Sequence, residues 1–266
     1  MTKIGFIGAG NMATAIINGL ISNKASNPEN INIFDLDAEK INLMTAKGVN
    51  ALASSQDVVK NSDIIVFAVK PQNYSEVLQD IKSVADESKI FVSIAAGISI
   101  SYVRNELSLN CPVVRVMPNT PLLLGKGASA LCPSENISAD DFETVKKMFS
   151  LSGTVEVIEE EHMNEIISVN GSSPAYVYLF AKVMADYAKS CGIDYDKAMN
   201  LICATLEGSA EMLRNSGDDA ETLIQKVSSK GGTTIAALNK LREYNFEEAV
   251  TEAMKACTNR AEELGK

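Results

Sequence analysis

Short apolar runs alternate with amphipathic stretches along the first part of the chain. The runs are Lys3–Ala9, Ile31–Asp35, Asp63–Val69, Ile90–Ala96 and Val113–Met117. They are brief and rich in β-branched residues, which predicts buried strands. Between them, apolar residues recur at helical spacing near Asn11–Ser22, Ala38–Lys47, Gln72–Ala85 and Ser99–Leu107. Buried strands alternating with helices make βαβ units and a doubly wound parallel sheet. Two further strand-like runs, Ala128–Cys132 and Thr154–Ile158, flank a predicted helix at Ala139–Leu151.

The pattern changes after Glu161. Helical spacing fills Tyr176–Ser190, Tyr195–Arg214, Ala220–Val227, Thr234–Glu243 and Phe246–Leu264. The expected organisation is an α/β domain over residues 1–161 and an all-helical domain over residues 162–266. Ala204, Gly208 and Ala210 predict a close helix–helix approach. Met184, Met199, Met212 and Met254 read as core and interface.

Composition narrows the partners. A net charge of −10 over 266 residues repels phosphate backbones, so no nucleic-acid partner is expected. An anionic ligand must then be held by local backbone donors and helix N-termini. No apolar run approaches the roughly 20 residues of a membrane span, so no membrane partner is expected. The glycine-rich start does not read as a secretory signal. The five cysteines form no C-x-x-C pair and read as reduced thiols of a cytoplasmic protein. No metal site is expected.

Gly8-Ala9-Gly10-Asn11-Met12-Ala13 is G-x-G-x-x-A between a predicted strand and a predicted helix. The first glycine makes the tight turn and the second lets the backbone approach a pyrophosphate. The small final residue lets the helix pack on the strand. This is a Rossmann-type dinucleotide site, with Gly8, Gly10, Asn11 and Met12 as cofactor-binding residues. Asp35 ends the next run, about 20 residues on, where a carboxylate accepts hydrogen bonds from the adenosine ribose. It would repel a 2′-phosphate, and Phe34–Ala38 contains no Arg. The expected cofactor is therefore NADH or NADPH, with NADH favoured. The competing reading makes Asp35 the cap of the following helix.

Ligands in open α/β sheets bind outside the carboxyl ends of strands. Three such ends stand out: Ala68-Val69-Lys70-Pro71, Ser93–Gly97 and Met117–Pro121. Their small residues and prolines can wall a flat nicotinamide. Lys70 either approaches the cofactor or is an ordinary surface lysine. Later, Gly171–Tyr176 opens one helix and Val227–Thr234 opens another. The second segment offers hydroxyls, glycines and free N–H groups at a helix start. It reads either as a carboxylate site or as a plain Ser/Thr cap with a glycine turn.

Together these segments resemble the pyrroline-5-carboxylate reductase family. The matching pieces are Phe6–Ala13, Ala68–Pro71, Ser93–Gly97, Met117–Pro121, Gly171–Tyr176 and Ser229–Leu238, spread over the whole chain. The resemblance implies an oxidoreductase of proline biosynthesis. Hydride passes from nicotinamide C4 to the C=N carbon of 1-pyrroline-5-carboxylate, giving L-proline. It also implies a homodimer of interlocked helical domains, in some cases a ring of dimers, with the site between the two domains. By position, Ser229 and the N–H groups of Gly232 and Thr233 hold the substrate carboxylate. Thr234 faces the ring nitrogen and, with Ser229, is the catalytic candidate. Ser55 falls at the adenosine end, and Ala68, Lys70, Pro71, Ala96, Met117 and Asn119 fall around the cofactor.

Four residues at three places depart from the family pattern. Lys230 stands where a Pro is usual, Ile224-Gln225 replaces a charged pair, and Arg242 replaces an acid. Lys230 can add an ammonium beside the substrate carboxylate.

A protonated cyclic imine is already a good hydride acceptor, so the chemistry needs positioning more than a strong acid. The single histidine, His162, sits in an acidic stretch and reads as solvated. A 3-hydroxyacid-type dehydrogenase is the main alternative, but it needs a lysine base one turn beyond a glycine cluster, and Lys182 lies well past Gly171. A reductase of another cyclic imine and a non-catalytic dinucleotide-binding protein are the remaining readings.

Overall fold

The computed structural model describes residues 2–265. Its strands are β1 (Ile4–Ile7), β2 (Ile31–Phe34), β3 (Asn50–Ala51), β4 (Ile64–Phe67), β5 (Ile90–Ser93), β6 (Val113–Met117), β7 (Gly127–Pro133) and β8 (Gly153–Val157). Around them lie α1 (Asn11–Ser22), α2 (Ala38–Thr45), α3 (Ser55–Lys60), α4 (Tyr74–Ile81), α5 (Ile100–Leu107) and α6 (Ala139–Ser150). Then follow α7 (Ser173–Ser190), α8 (Tyr195–Asn215), α9 (Ala220–Lys226), α10 (Thr233–Glu243) and α11 (Phe246–Leu264).

The strands form one sheet in the order β3-β2-β1-β4-β5-β6-β7-β8. The order reverses at β1, which pairs with β2 on one side and β4 on the other. That is the switch point at which open α/β sheets take ligands. Successive side chains alternate between two cores, as the strand period requires. Phe6, Ile33, Val66 and Val92 bury on one face. Ile7, Ile65, Phe67 and Phe91 bury on the other. The Phe67 and Phe91 rings stack with centroids 5.8 Å apart.

The apolar runs overshoot the ladder, because Ala9, Asp35, Val69 and Ala96 already belong to the loops beyond the strand ends. β3 and α3 were too short to show as periodicity. Gln72–Ala85 resolves into a 3-10 turn, Pro71–Asn73, followed by α4. The sheet is also not wholly parallel, since β7 runs antiparallel to β6. The connection between them is too short for a parallel crossover, so the chain must turn back.

The chain divides into two compact units. One is the sheet unit, running up to Pro174 and resuming at Lys255; the other is Ala175–Met254. Compactness thus follows a different line from the change of pattern at Glu161. The segment before Pro174 is braced to the sheet. Arg115, nearly fully buried on β6, donates to Asn164 Oδ1. Its guanidinium lies 3.9 Å from Glu160, whose carboxylate accepts the Ile100 N–H at 2.7 Å. The end of α11 belongs to the sheet unit as well: a side chain on Gly97 (φ +82°) would strike the Ala261 carbonyl.

The second unit has a sparse core of Ala181, Ala185 and Ile202, against which Tyr195, Met199 and Leu206 pack. Tyr178, Leu179, Val183, Tyr187 and Leu201 are exposed by more than half. Met184 and Met212 are exposed too, so of the four methionines only Met199 packs on this core. A Cβ on Gly208 would meet nothing within 4 Å, so the expected close helix approach is not seen at that glycine among the described residues.

Candidate functional site

The dinucleotide loop is built by the switch point. Gly8 has φ +101°, a conformation that only glycine adopts without strain. Its N–H donates to Phe34 O at 2.7 Å, and the Ala68 N–H donates to Ile7 O at 2.8 Å. A Cβ on Gly8 would lie 2.6 Å from the Ala68 carbonyl oxygen. Gly10 differs: it caps α1 with no side-chain hydrogen bond, and a Cβ there would meet nothing within 4 Å. The first turn of α1 holds no acid. The mouth of α1 at Gly10 is therefore open and carries first-turn N–H groups without a side-chain cap, which fits a pyrophosphate. The Met12 side chain packs toward the core, so only its backbone is available to a ligand.

Asp35 is not the cap of α2. Asp37 fills that role, accepting the Glu39 N–H at 3.0 Å. That bond, together with Lys40, holds the Asp37 carboxyl below its usual range. Asp35 instead accepts the Ala9 N–H at 2.7 Å and the Asp37 N–H at 2.8 Å. It ties the glycine loop to the end of β2, and each oxygen keeps a further lone pair. Ser55 is buried in the first turn of α3, whose cap is the neighbouring Ser54.

The strand ends beyond the switch point are locked from below. Tyr74 is fully buried; its hydroxyl donates to Phe67 O at 3.0 Å and accepts from Ser93 Oγ at 3.1 Å. Burial pushes its phenol above the ordinary range. Lys70 is exposed, and no carboxylate pairs with it among the described residues. Pro71 opens the turn behind it. Ala96 is partly exposed at the end of the β5 loop.

Asn119 is 8% exposed and its amide is occupied by bracing. It donates to Asn170 O at 3.1 Å and accepts the Ala128 N–H at 2.9 Å. Asn170 in turn donates to Met117 O at 2.7 Å and Ala128 O at 3.1 Å. Asn119 therefore shapes the loop after β6 through these bonds. Tyr74, Asn170 and Glu160 carried no local sequence signal, because each acts on a partner fixed only by the fold.

The Ser229–Thr234 loop lies in the second unit. Gly231 has φ +75°, and Gly232 caps α10 without a side-chain bond or an acid in the first turn. The Gly232 N–H donates to Ser229 O at 2.9 Å. That bond closes the loop's own turn. Thr233 and Thr234 add the first N–H groups of α10. A Cβ on Gly232 would sit 2.6 Å from Ser229 Oγ, so glycine keeps that hydroxyl at the helix mouth. Lys230 is exposed with no ion pair among the described residues.

His162 is exposed, with Nε2 3.6 Å from Glu161. Lys182 Nζ lies 2.5 Å from Asp186, and that hydrogen bond raises its pKa. Lys182 sits inside α7, well past Gly171, so the structure adds nothing in favour of a 3-hydroxyacid-type dehydrogenase. No group of side chains suited to a metal ion occurs among the described residues. No helix among them is long and apolar enough to cross a membrane.

A doubly wound, mostly parallel sheet with an open glycine loop at its switch point defines a dinucleotide-binding protein of Rossmann type. Residues 3–97 match the family model described as NADP oxidoreductase coenzyme F420-dependent. Residues 160–264 match the model described as pyrroline-5-carboxylate reductase dimerisation. The pyrroline-5-carboxylate reductase of Escherichia coli (strain K12) is 37% identical over 99% of this chain and 98% of its own length. That of Corynebacterium melassecola is 35% identical over 100% of both. The solved Plasmodium falciparum pyrroline carboxylate reductase, with NADP bound, superposes with a TM-score of 0.92 at 30% identity, covering 100% of this chain and 98% of that one. The chain belongs to the pyrroline-5-carboxylate reductase family.

Proposed function

We propose that the chain reduces 1-pyrroline-5-carboxylate to L-proline in the cytoplasm, as a homodimer that prefers NADH. One observation carries the reading. α2, α3, α5, α6, α8 and α9 are capped by their own side chains. α1 and α10 instead begin at a bare glycine with no acid in the first turn. These two glycine-capped mouths take two anions: the dinucleotide pyrophosphate at Gly10 and the substrate carboxylate at Thr233 and Thr234.

When bound, the nicotinamide supplies the hydride that the C=N carbon accepts. Ser229 Oγ and the backbone N–H groups of Thr233 and Thr234 fix the carboxylate. The Thr234 hydroxyl orients the ring nitrogen, which keeps its own proton as it becomes the secondary amine of proline. No protein acid is required, which suits a chain whose only histidine is solvent-exposed. Ser55, Lys70, Pro71, Ala96 and Met117 line the cofactor's path, and Asp35 takes the ribose hydroxyls. Residues 162–266 act as the substrate and dimerisation domain. The exposed apolar helices of that region are covered by a second copy, and a ring of such dimers is the larger assembly that solution mass can read.

Thr234→Ala tests the reading. Loss of a hydrogen bond to a charged group costs about 1.5–3 kcal/mol, so kcat/KM for the imino acid should fall about 10–100-fold. The NADH dissociation constant should not change. Turnover like that of the unaltered protein would remove Thr234 from the site.

A further inference from the structure

The ribose end of the dinucleotide loop carries a cation that Asp35 alone does not explain. Lys40 Nζ lies 3.8 Å from Asp35 Oδ1 and 3.3 Å from Asp37 Oδ2, and its side chain is 43% exposed. It stands in the first turn of α2. A cation at that place opposes the helix dipole, and an exposed pair one turn apart contributes little to stability. Helix formation therefore gives no reason for a lysine here. The local field does: Asp35, Asp37 and Glu39 crowd the same turn, and no other Lys or Arg pairs with them among the described residues.

Asp35 cannot move away from this cluster, because both its oxygens accept backbone N–H groups. Lys40 can move, since a long stem carries its ammonium through solvent. We infer that Lys40 sets how strongly the chain discriminates between NADH and NADPH, by leaving Asp37 for a phosphate at the ribose 2′ position. It offsets part of the repulsion from Asp35, so NADPH remains a usable second cofactor. The inference rests on the reading that Asp35 faces the ribose.

The test is a binding measurement on the intact protein, with adenosine 2′,5′-bisphosphate and 5′-AMP as probes in a calorimeter at low ionic strength. Lys40→Met should weaken the bisphosphate relative to AMP by about two- to fivefold. The difference should shrink at about 0.5 M salt, where the Debye length falls to a few ångströms. Asp37→Asn keeps a good N-cap and releases the ammonium, so it should shift the ratio the other way. Asp35→Asn should favour the bisphosphate by removing the fixed charge. If Asp35→Asn shifts the ratio but Lys40→Met does not, the role of Lys40 is overturned while the reading of Asp35 stands. If Asp35→Asn leaves the ratio unchanged, both fall.

Discussion

The two glycines of the dinucleotide loop should fail in opposite ways when each is given a methyl group. Gly8→Ala meets a wall. Its φ of +101° lies in the region that L-residues avoid, and the new Cβ would stand 2.6 Å from Ala68 O and 2.8 Å from its carbonyl carbon. Neither side can yield, because Gly8 N–H is bonded to Phe34 O and Ala68 N–H to Ile7 O. A left-handed alanine costs about 1–2 kcal/mol and overpacking about 1–3 kcal/mol, so roughly 2–5 kcal/mol of stability should be lost. Gly10→Ala meets nothing: φ is −72°, and no atom lies within 4 Å of the added carbon. Its only structural cost is the poorer alanine cap, at most about 1 kcal/mol. Its methyl, however, occupies the approach to the α1 amides, and the NADH dissociation constant should rise at least about tenfold, or 1.4 kcal/mol.

Urea unfolding at matched protein concentration measures the first effect, since assembly contributes to the apparent stability of a dimer. Titration of NADH fluorescence measures the second. The reasoning fails if Gly10→Ala binds NADH as the unaltered protein does, or if Gly8→Ala unfolds at an unchanged urea midpoint.

Other expectations follow from the same geometry. Gly97→Ala places a side chain against the Ala261 carbonyl at φ +82°, so it should lower the thermal midpoint and expose the end of α11 to proteolysis; an unchanged midpoint would refute the docking. Burial pushes the Cys111 and Cys132 thiols up to about 11 from an ordinary 9.0. The folded state therefore holds protons that the unfolded state releases. The stability they contribute is complete below pH 9 and is lost as pH rises toward 11, which urea midpoints across that window would show as a decline. Neither thiol should react with iodoacetamide at pH 8 in the folded protein, and mass spectrometry of the digest reads this directly. Lys230→Ala should raise KM for the imino acid about two- to fivefold if its ammonium faces the carboxylate; an unchanged KM removes that role.

The glycine loop was legible in the sequence because its function is carried by backbone conformation, and glycine advertises conformation directly. The strand runs were legible for a similar reason: β1 and β4 are buried on both faces, so nearly every residue must be apolar. What stayed hidden depends on partners distant along the chain. Nothing local in Asn119 announces that its amide will bond Asn170 O and Ala128 N–H. The engagement of the Gly232 N–H by Ser229 O was hidden within four residues, because only the turn's dihedral angles decide it. Lys40 lies outside Phe34–Ala38, and only the helical turn brings it back against Asp37.

The helical half exposes a deeper limit of pattern reading. Apolar spacing in α7 and α8 correctly gave helices, but it reports only that a face wants burial, not whose core it enters. Within the chain that face finds Ala181, Ala185 and Ile202, while Leu179, Tyr187 and Leu201 stay in solvent. At about 25 cal/mol per Å² of apolar surface, that cluster, even with Tyr195, Met199 and Leu206 packed on it, is small against the backbone entropy of ordering helices of 18 and 21 residues. The second unit's own core is therefore a minor part of what holds it folded. Its stability has to come from surfaces outside that core, so substitutions such as Leu201→Ser should lower the thermal midpoint and the dimer affinity together. A variant that becomes monomeric yet keeps its full thermal midpoint would show that this half folds without its partner.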